Sequence, residues 1–136
     1  MPKSKSAKAR GNAKAVRDAW LAEIERFFAE VEAWARKQGW ATLRDYRPKH
    51  EEGLGDYRVP VLLVHTLKGR VLFTPEARYV YGADGRIDAC VYPSFDDAAM
   101  LVKTNGWGIR HADRDDDEPW TEASFVRVVN EALDQP

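Results

Sequence analysis

The sequence is poor in sulfur and in long apolar runs. It holds one cysteine, Cys90, so no disulfide can form within the chain, and two methionines. A single thiol suits a reducing cytosol. No apolar run approaches the roughly 18 residues that a membrane-spanning helix needs. The stretch Met1 to Lys14 carries charges with no apolar block after them, so it does not read as a secretory signal. No Cys-x-x-Cys, G-x-S-x-G or phosphate-loop pattern occurs, and no pair of histidines stands at a metal-binding helical spacing. These gaps exclude a disulfide scaffold and leave no recognisable catalytic or cofactor motif.

What is present is an ordinary globular composition in 136 residues, with 44% hydrophobic and 32% charged side chains. One domain is expected at this length. The net charge of −1 is unevenly placed. Lys3, Lys5, Lys8, Arg10, Lys14 and Arg17 face no acid in the first 17 residues, which carry +6 and leave −7 for the rest. Residues 1–11 hold no large apolar side chain beyond Met1 and read as a disordered basic tail ahead of one domain, 12–136. Such a tail could touch nucleic acid, but the body behind it is acidic, so the expectation is a solubilising extension.

The clearest element follows. Val16, Trp20, Ile24, Phe27, Val31 and Trp34 recur at helical period. A helix from about Asn12 to Gln38 is expected, stopped by Gly39. Its bulky face suits packing on the domain's own sheet better than a coiled-coil seam.

From Trp40 the period becomes two. Trp40–Arg47 reads as a strand, Pro48–Asp56 as a loop, and Tyr57–Thr66 as a strand in which Pro60 implies a bulge or an edge. Lys68-Gly69, Asp84-Gly85 and Asn105-Gly106 then read as hairpin turns. They join Tyr57–Thr66 to Arg70–Thr74, Ala77–Tyr81 to Arg86–Tyr92, and Ala99–Lys103 to Trp107–His111. Ser94–Asp97 reads as one helical turn. Trp120, Thr121 and Phe125 stand at the N′, N-cap and N4 positions of a last helix whose apolar face is Phe125, Val128, Val129 and Leu133. The expected fold is α+β: a long N-terminal helix, an antiparallel meander of about six or seven strands, and a short C-terminal helix, with both helices on one face of the sheet.

Candidate chemistry is thin. Asp113, Asp115 and Asp117 imitate the opening of a calcium loop, but Glu118 and Ser124 stand where glycine and a bidentate glutamate belong. Cys90 and His65 have nothing to bring them together as a nucleophile pair. Gly53-Leu54-Gly55 precedes a strand, whereas a dinucleotide cradle follows one. No metal and no cofactor are expected. The one unusual feature is a hairpin that would gather Tyr79, Tyr81, Arg86, Asp88 and Tyr92 onto one face, opposite Val80, Ile87, Ala89 and Val91. Rigid aromatic area with polar handles suits recognition.

The leading functional expectation is therefore a non-catalytic, cytoplasmic interaction protein of adaptor, chaperone or inhibitor type, whose partner is another protein or a second copy. The alternative is an enzyme or small-ligand binder with a pocket between the long helix and the sheet, probed first at His65, Asp88 and Tyr92. A further alternative is nucleic-acid contact through the tail.

Overall fold

The computed structural model describes the backbone of residues 2–80 and 82–134, and the side chains of residues 12–80 and 82–134. Helix α1 spans Pro2–Lys37. The expected tail, residues 1–11, has its side chains outside the described residues. The helix ends where Gly39 takes φ +77°, with Gln38 and Trp40 both donating to the Ala35 carbonyl.

Seven strands follow: β1 Ala41–Glu51, β2 Gly55–Thr66, β3 Gly69–Ala77, β4 Arg86–Tyr92, β5 Asp97–Lys103, β6 Trp107–Arg110 and β7 Glu118–Pro119. Helix α2, Glu122–Leu133, closes the chain. The strands pair in sequence order as one antiparallel meander, so β1 and β7 are the edges. The fold is the expected α+β arrangement.

The core lies between the helices and one face of the sheet. Trp20, Ile24, Phe27, Phe28, Val31 and Ala35 are the buried stripe of α1. They meet Leu62, Val64, Phe73, Ile87, Ala89, Leu101 and Ile109 from the strands, and Phe125, Val128 and Val129 from α2. Ile87 and Ala89 are buried as the alternation predicts. Thr121 caps α2: its Oγ1 accepts from the Ser124 N–H, and the Ser124 Oγ accepts from the Thr121 N–H. Trp120 and Phe125 pack edge to face at 5.9 Å and form the staple.

Three local expectations are corrected. The predicted loop Pro48–Asp56 is mostly strand, because β1 and β2 pair without a break from Ala41 opposite His65 to Glu51 opposite Gly55. Pro60 is tolerated there because β3 pairs with β2 only from Leu62 onward, so its missing donor faces no strand on that side. The predicted strand Ala77–Tyr81 does not form. The partner of β4 is β3, in register from Arg70 opposite Tyr92 to Ala77 opposite Arg86. Between β3 and β4 the described residues 78–80 and 82–85 form no strand, and Val80 and Ala83 make an isolated bridge. Lastly, Ser94–Asp97 is a turn and the start of β5, not a helical turn; Ser94 Oγ accepts from the Asp96 N–H.

Candidate functional site

Both helices cover one face of the sheet, and the alternation of β3 and β4 assigns the other. Arg70, Leu72 and Thr74 stand opposite Tyr92, Cys90 and Asp88 on the side away from the core. Leu63 and Val61 continue this side into β2, and Leu43, Asp45 and Arg47 continue it into β1. A depression of about 260 Å³ opens there, with Leu43, Val61, Leu63 and Leu72 as its apolar floor and Arg47 and Arg70 at its sides. Leu43 is 67% exposed, while Val61 and Leu72 are only 2% and 3% exposed under the longer side chains around them.

Three of the five residues expected to form one recognition face do share this side: Arg86, Asp88 and Tyr92. Arg86 grips Asp88 through two hydrogen bonds of 2.8 and 2.9 Å. The carboxylate raises the guanidinium's pKa further, against a smaller opposing effect of burial. Tyr92 carries the Arg70 guanidinium over its ring at 4.9 Å and meets Phe95 edge to face. Tyr79 does not belong to this face. It lies in the 78–85 connection, where its ring approaches Gly53 and its N–H donates to Glu51. Tyr81 lies outside the described residues.

The sequence reading missed two features. Arg47 and Arg70 line the same depression, and among the described residues neither has a carboxylate partner. They lie 23 positions apart in the chain, and only the folded sheet brings them to one depression. Glu51 is the other. Its carboxylate accepts the N–H groups of Arg78 and Tyr79 at 2.9 Å and the Tyr57 hydroxyl at 3.2 Å. It pins the tip of the β1–β2 hairpin to the connection before β4. Burial, then the nearby Glu51 carboxylate, push the Tyr57 hydroxyl's pKa well up, so it remains a donor.

The remaining candidates are dispersed. Cys90 and His65 are separated by strand β3, roughly 10 Å by strand spacing. Burial and the carboxylates of Asp88 and Asp97 push the Cys90 thiol up, which disfavours the thiolate. In the acidic run, Asp117 is bound by Arg110, and Glu118 by His111 and Arg127. Among the described residues, no three His, Cys, Asp or Glu side chains stand together as a metal-ligand set. Between α1 and the middle of the sheet, Trp20, Phe27, Phe28, Phe73 and Phe125 fill the space, while depressions of about 290 and 520 Å³ open along α1, the first against Trp107 and Trp120 and the second against Asp84 and Lys103. His65, Asp88 and Tyr92 all sit on the opposite side of the sheet. No helix among the described residues is long and apolar enough to cross a membrane. The chain matches no family model, no curated protein and no solved structure.

Proposed function

We propose that this is a non-catalytic protein-interaction module of the reducing cytosol, and that it binds its partner through the sheet face opposite the helices. One observation supports the reading above the others: the apolar floor of Leu43, Val61, Leu63 and Leu72 flanked by two arginines that have no carboxylate partner among the described residues. Leu43, the exposed apolar side chain of that floor, rimmed by polar groups, suits a protein contact. Arginine and tyrosine are the side chains that anchor such contacts. Tyr92, Arg70 and the Arg86–Asp88 pair extend the face across β3 and β4.

The test is a paired substitution, Arg70→Glu with Tyr92→Asp. Both side chains are only partly buried, and neither belongs to the core cluster. The variant should fold, with a melting temperature within about 4 °C of the parent. Captured partners, identified by mass spectrometry from the native host, should be lost. A folded variant that keeps every partner would sink the proposal.

A further inference from the structure

We propose that the edge strand β1 is the seam of a symmetric homodimer, in which two sheets join into one through antiparallel β1–β1 pairing about Tyr46. This surface is the rim of the sheet; it shares Leu43, Asp45 and Arg47 with the border of the open-face depression, but the pairing does not rest on the function proposed above.

The edge has a definite hydrogen-bonding parity. Tyr46 pairs with Pro60, and Pro48 with Arg58. Proline has no N–H, so neither row can be a reciprocally bonded pair of the β1–β2 ladder. The bonded rows are therefore those of Leu43, Asp45, Arg47 and Lys49. Thr42, Arg44, Tyr46 and His50 direct N–H and C=O outward, and Pro48 directs C=O alone. In the single chain, Tyr46 is capped from within. Its N–H donates to Asp45 Oδ1 at 2.8 Å, and its C=O accepts from Arg58 Nη2 at 3.2 Å. Both caps are exposed side-chain bonds that a second strand can replace.

The charges select a second copy as the occupant and Tyr46 as the axis. With the two-fold at Tyr46, Asp45 stands directly opposite Arg47 of the second copy, and Arg47 opposite its Asp45. These rows are the non-bonded ones, in which side chains approach most closely. Moving the axis by one residue places Asp45 opposite Asp45, or Arg47 opposite Arg47. Moving it by two places Arg44 opposite Arg44, or Arg47 opposite Lys49. Like charges directly opposite are unfavourable, so of the registers within two residues of Tyr46 only the one centred on it avoids them. Arg47 is free to take this role because no described carboxylate holds it, whereas Arg44 is bound by Glu32 and Glu25 of α1. On the other side of the strand the axis pairs two Tyr46 rings. Tyr46 and Leu43 are both exposed large apolar side chains of β1.

Helix α1 packs against both β2 and β1. The two β2 strands would be three strand spacings apart, about 14 Å. Helices in contact stand roughly 8–10 Å apart, so the two α1 helices would face each other across the seam at or beyond contact distance.

The experiment is sedimentation equilibrium on the full chain, with a charge exchange. The parent should approach twice the 15.5 kDa chain mass as concentration rises. Arg47→Asp alone and Asp45→Arg alone should each weaken dimerisation at least tenfold. The double exchange, Asp45→Arg with Arg47→Asp, should restore it, and mixing the two single variants should yield a heterodimer. A parent that stays monomeric up to about 1 mM, or single variants that dimerise as well as the parent, would overturn the proposal. Hydrogen exchange on the parent needs no variant to fold. The Thr42, Tyr46 and His50 amides should become protected with rising concentration, and unchanged exchange on dimerisation would place the seam elsewhere. The Arg70→Glu, Tyr92→Asp variant leaves β1 intact and should still dimerise, so loss of the open-face contact is distinguishable from loss of the seam.

Discussion

The indole of Trp20 occupies the space that a side chain at Gly85 would need. A Cβ built on Gly85 would lie 2.5 Å from Cζ3 and 2.8 Å from Cη2 of that ring. The backbone there cannot retreat easily. Asp84 donates its N–H to the Lys103 carbonyl at 2.7 Å, and Lys103 donates to the Gly85 carbonyl at 3.0 Å. Trp20 is fixed in turn, 1% exposed and packed on Trp107. Gly85→Ala should therefore destabilise by about 1–3 kcal/mol through overpacking. Gly106→Ala is the contrast, because a Cβ there meets nothing within 4 Å, and it should stay within about 0.5 kcal/mol. Chemical denaturation of both variants checks the pair, and equal costs would refute the steric account.

The Asp84-Gly85 dipeptide also shows where the sequence could be read and where it could not. Its composition points to a hairpin turn, and a turn signal is local. The reason for this glycine is not local: it is a ring 65 positions earlier in the chain. The same division runs through the fold. The stripe from Trp20 to Val31, the Gly39 stop and the Thr121 cap each depend on neighbours within a few residues, so spacing and residue type reveal them. Strand β1 continues through Pro48 because β2 pairs with it, which propensity around Pro48 does not disclose. For the candidate site, alternation within β4 placed Arg86, Asp88 and Tyr92 on one side. It could not place Tyr79, because the partner strand of β4 is Gly69–Ala77. Nor could it find that Arg47 and Arg70 border one depression, a relation made by three strands side by side.

Glu51 should act as a latch on the β3–β4 connection. Its carboxylate accepts two backbone N–H groups, those of Arg78 and Tyr79 in that connection. Charge-assisted bonds of this kind are among the stronger hydrogen bonds. Glu51→Ala should speed amide exchange at Arg78 and Tyr79 at least tenfold and leave the amides of Phe73 and Ile87, in the sheet centre, nearly unchanged. A uniform acceleration across the sheet would mean that the substitution lowers global stability and that no separate latch exists.

The last prediction concerns acid. Glu118 lies between Arg127 and His111, with Arg127 Nη1 at 2.6 Å from Oε2 and His111 Nε2 at 2.9 Å from Oε1. Hydrogen bonding to Arg127 is the largest cause that holds its carboxyl down at about 2, against an opposing push from burial. In the unfolded chain these partners are gone and the group returns to the ordinary glutamate range. A carboxylate with a depressed folded pKa stabilises the fold above its unfolded pKa, and that contribution fades as pH falls toward the folded value. The parent should therefore lose melting temperature between about pH 4.5 and pH 2 more steeply than Glu118→Gln, which cannot titrate there. The two should run parallel above about pH 6, offset by the ion pairs the variant lacks. Arg127→Ala should flatten the acid slope in the same direction, since it removes the principal cause of the shift. If the parent and Glu118→Gln fall with identical slopes below pH 4.5, other carboxylates govern acid unfolding and the anchoring of β7 to α2 through this pair carries no measurable stability.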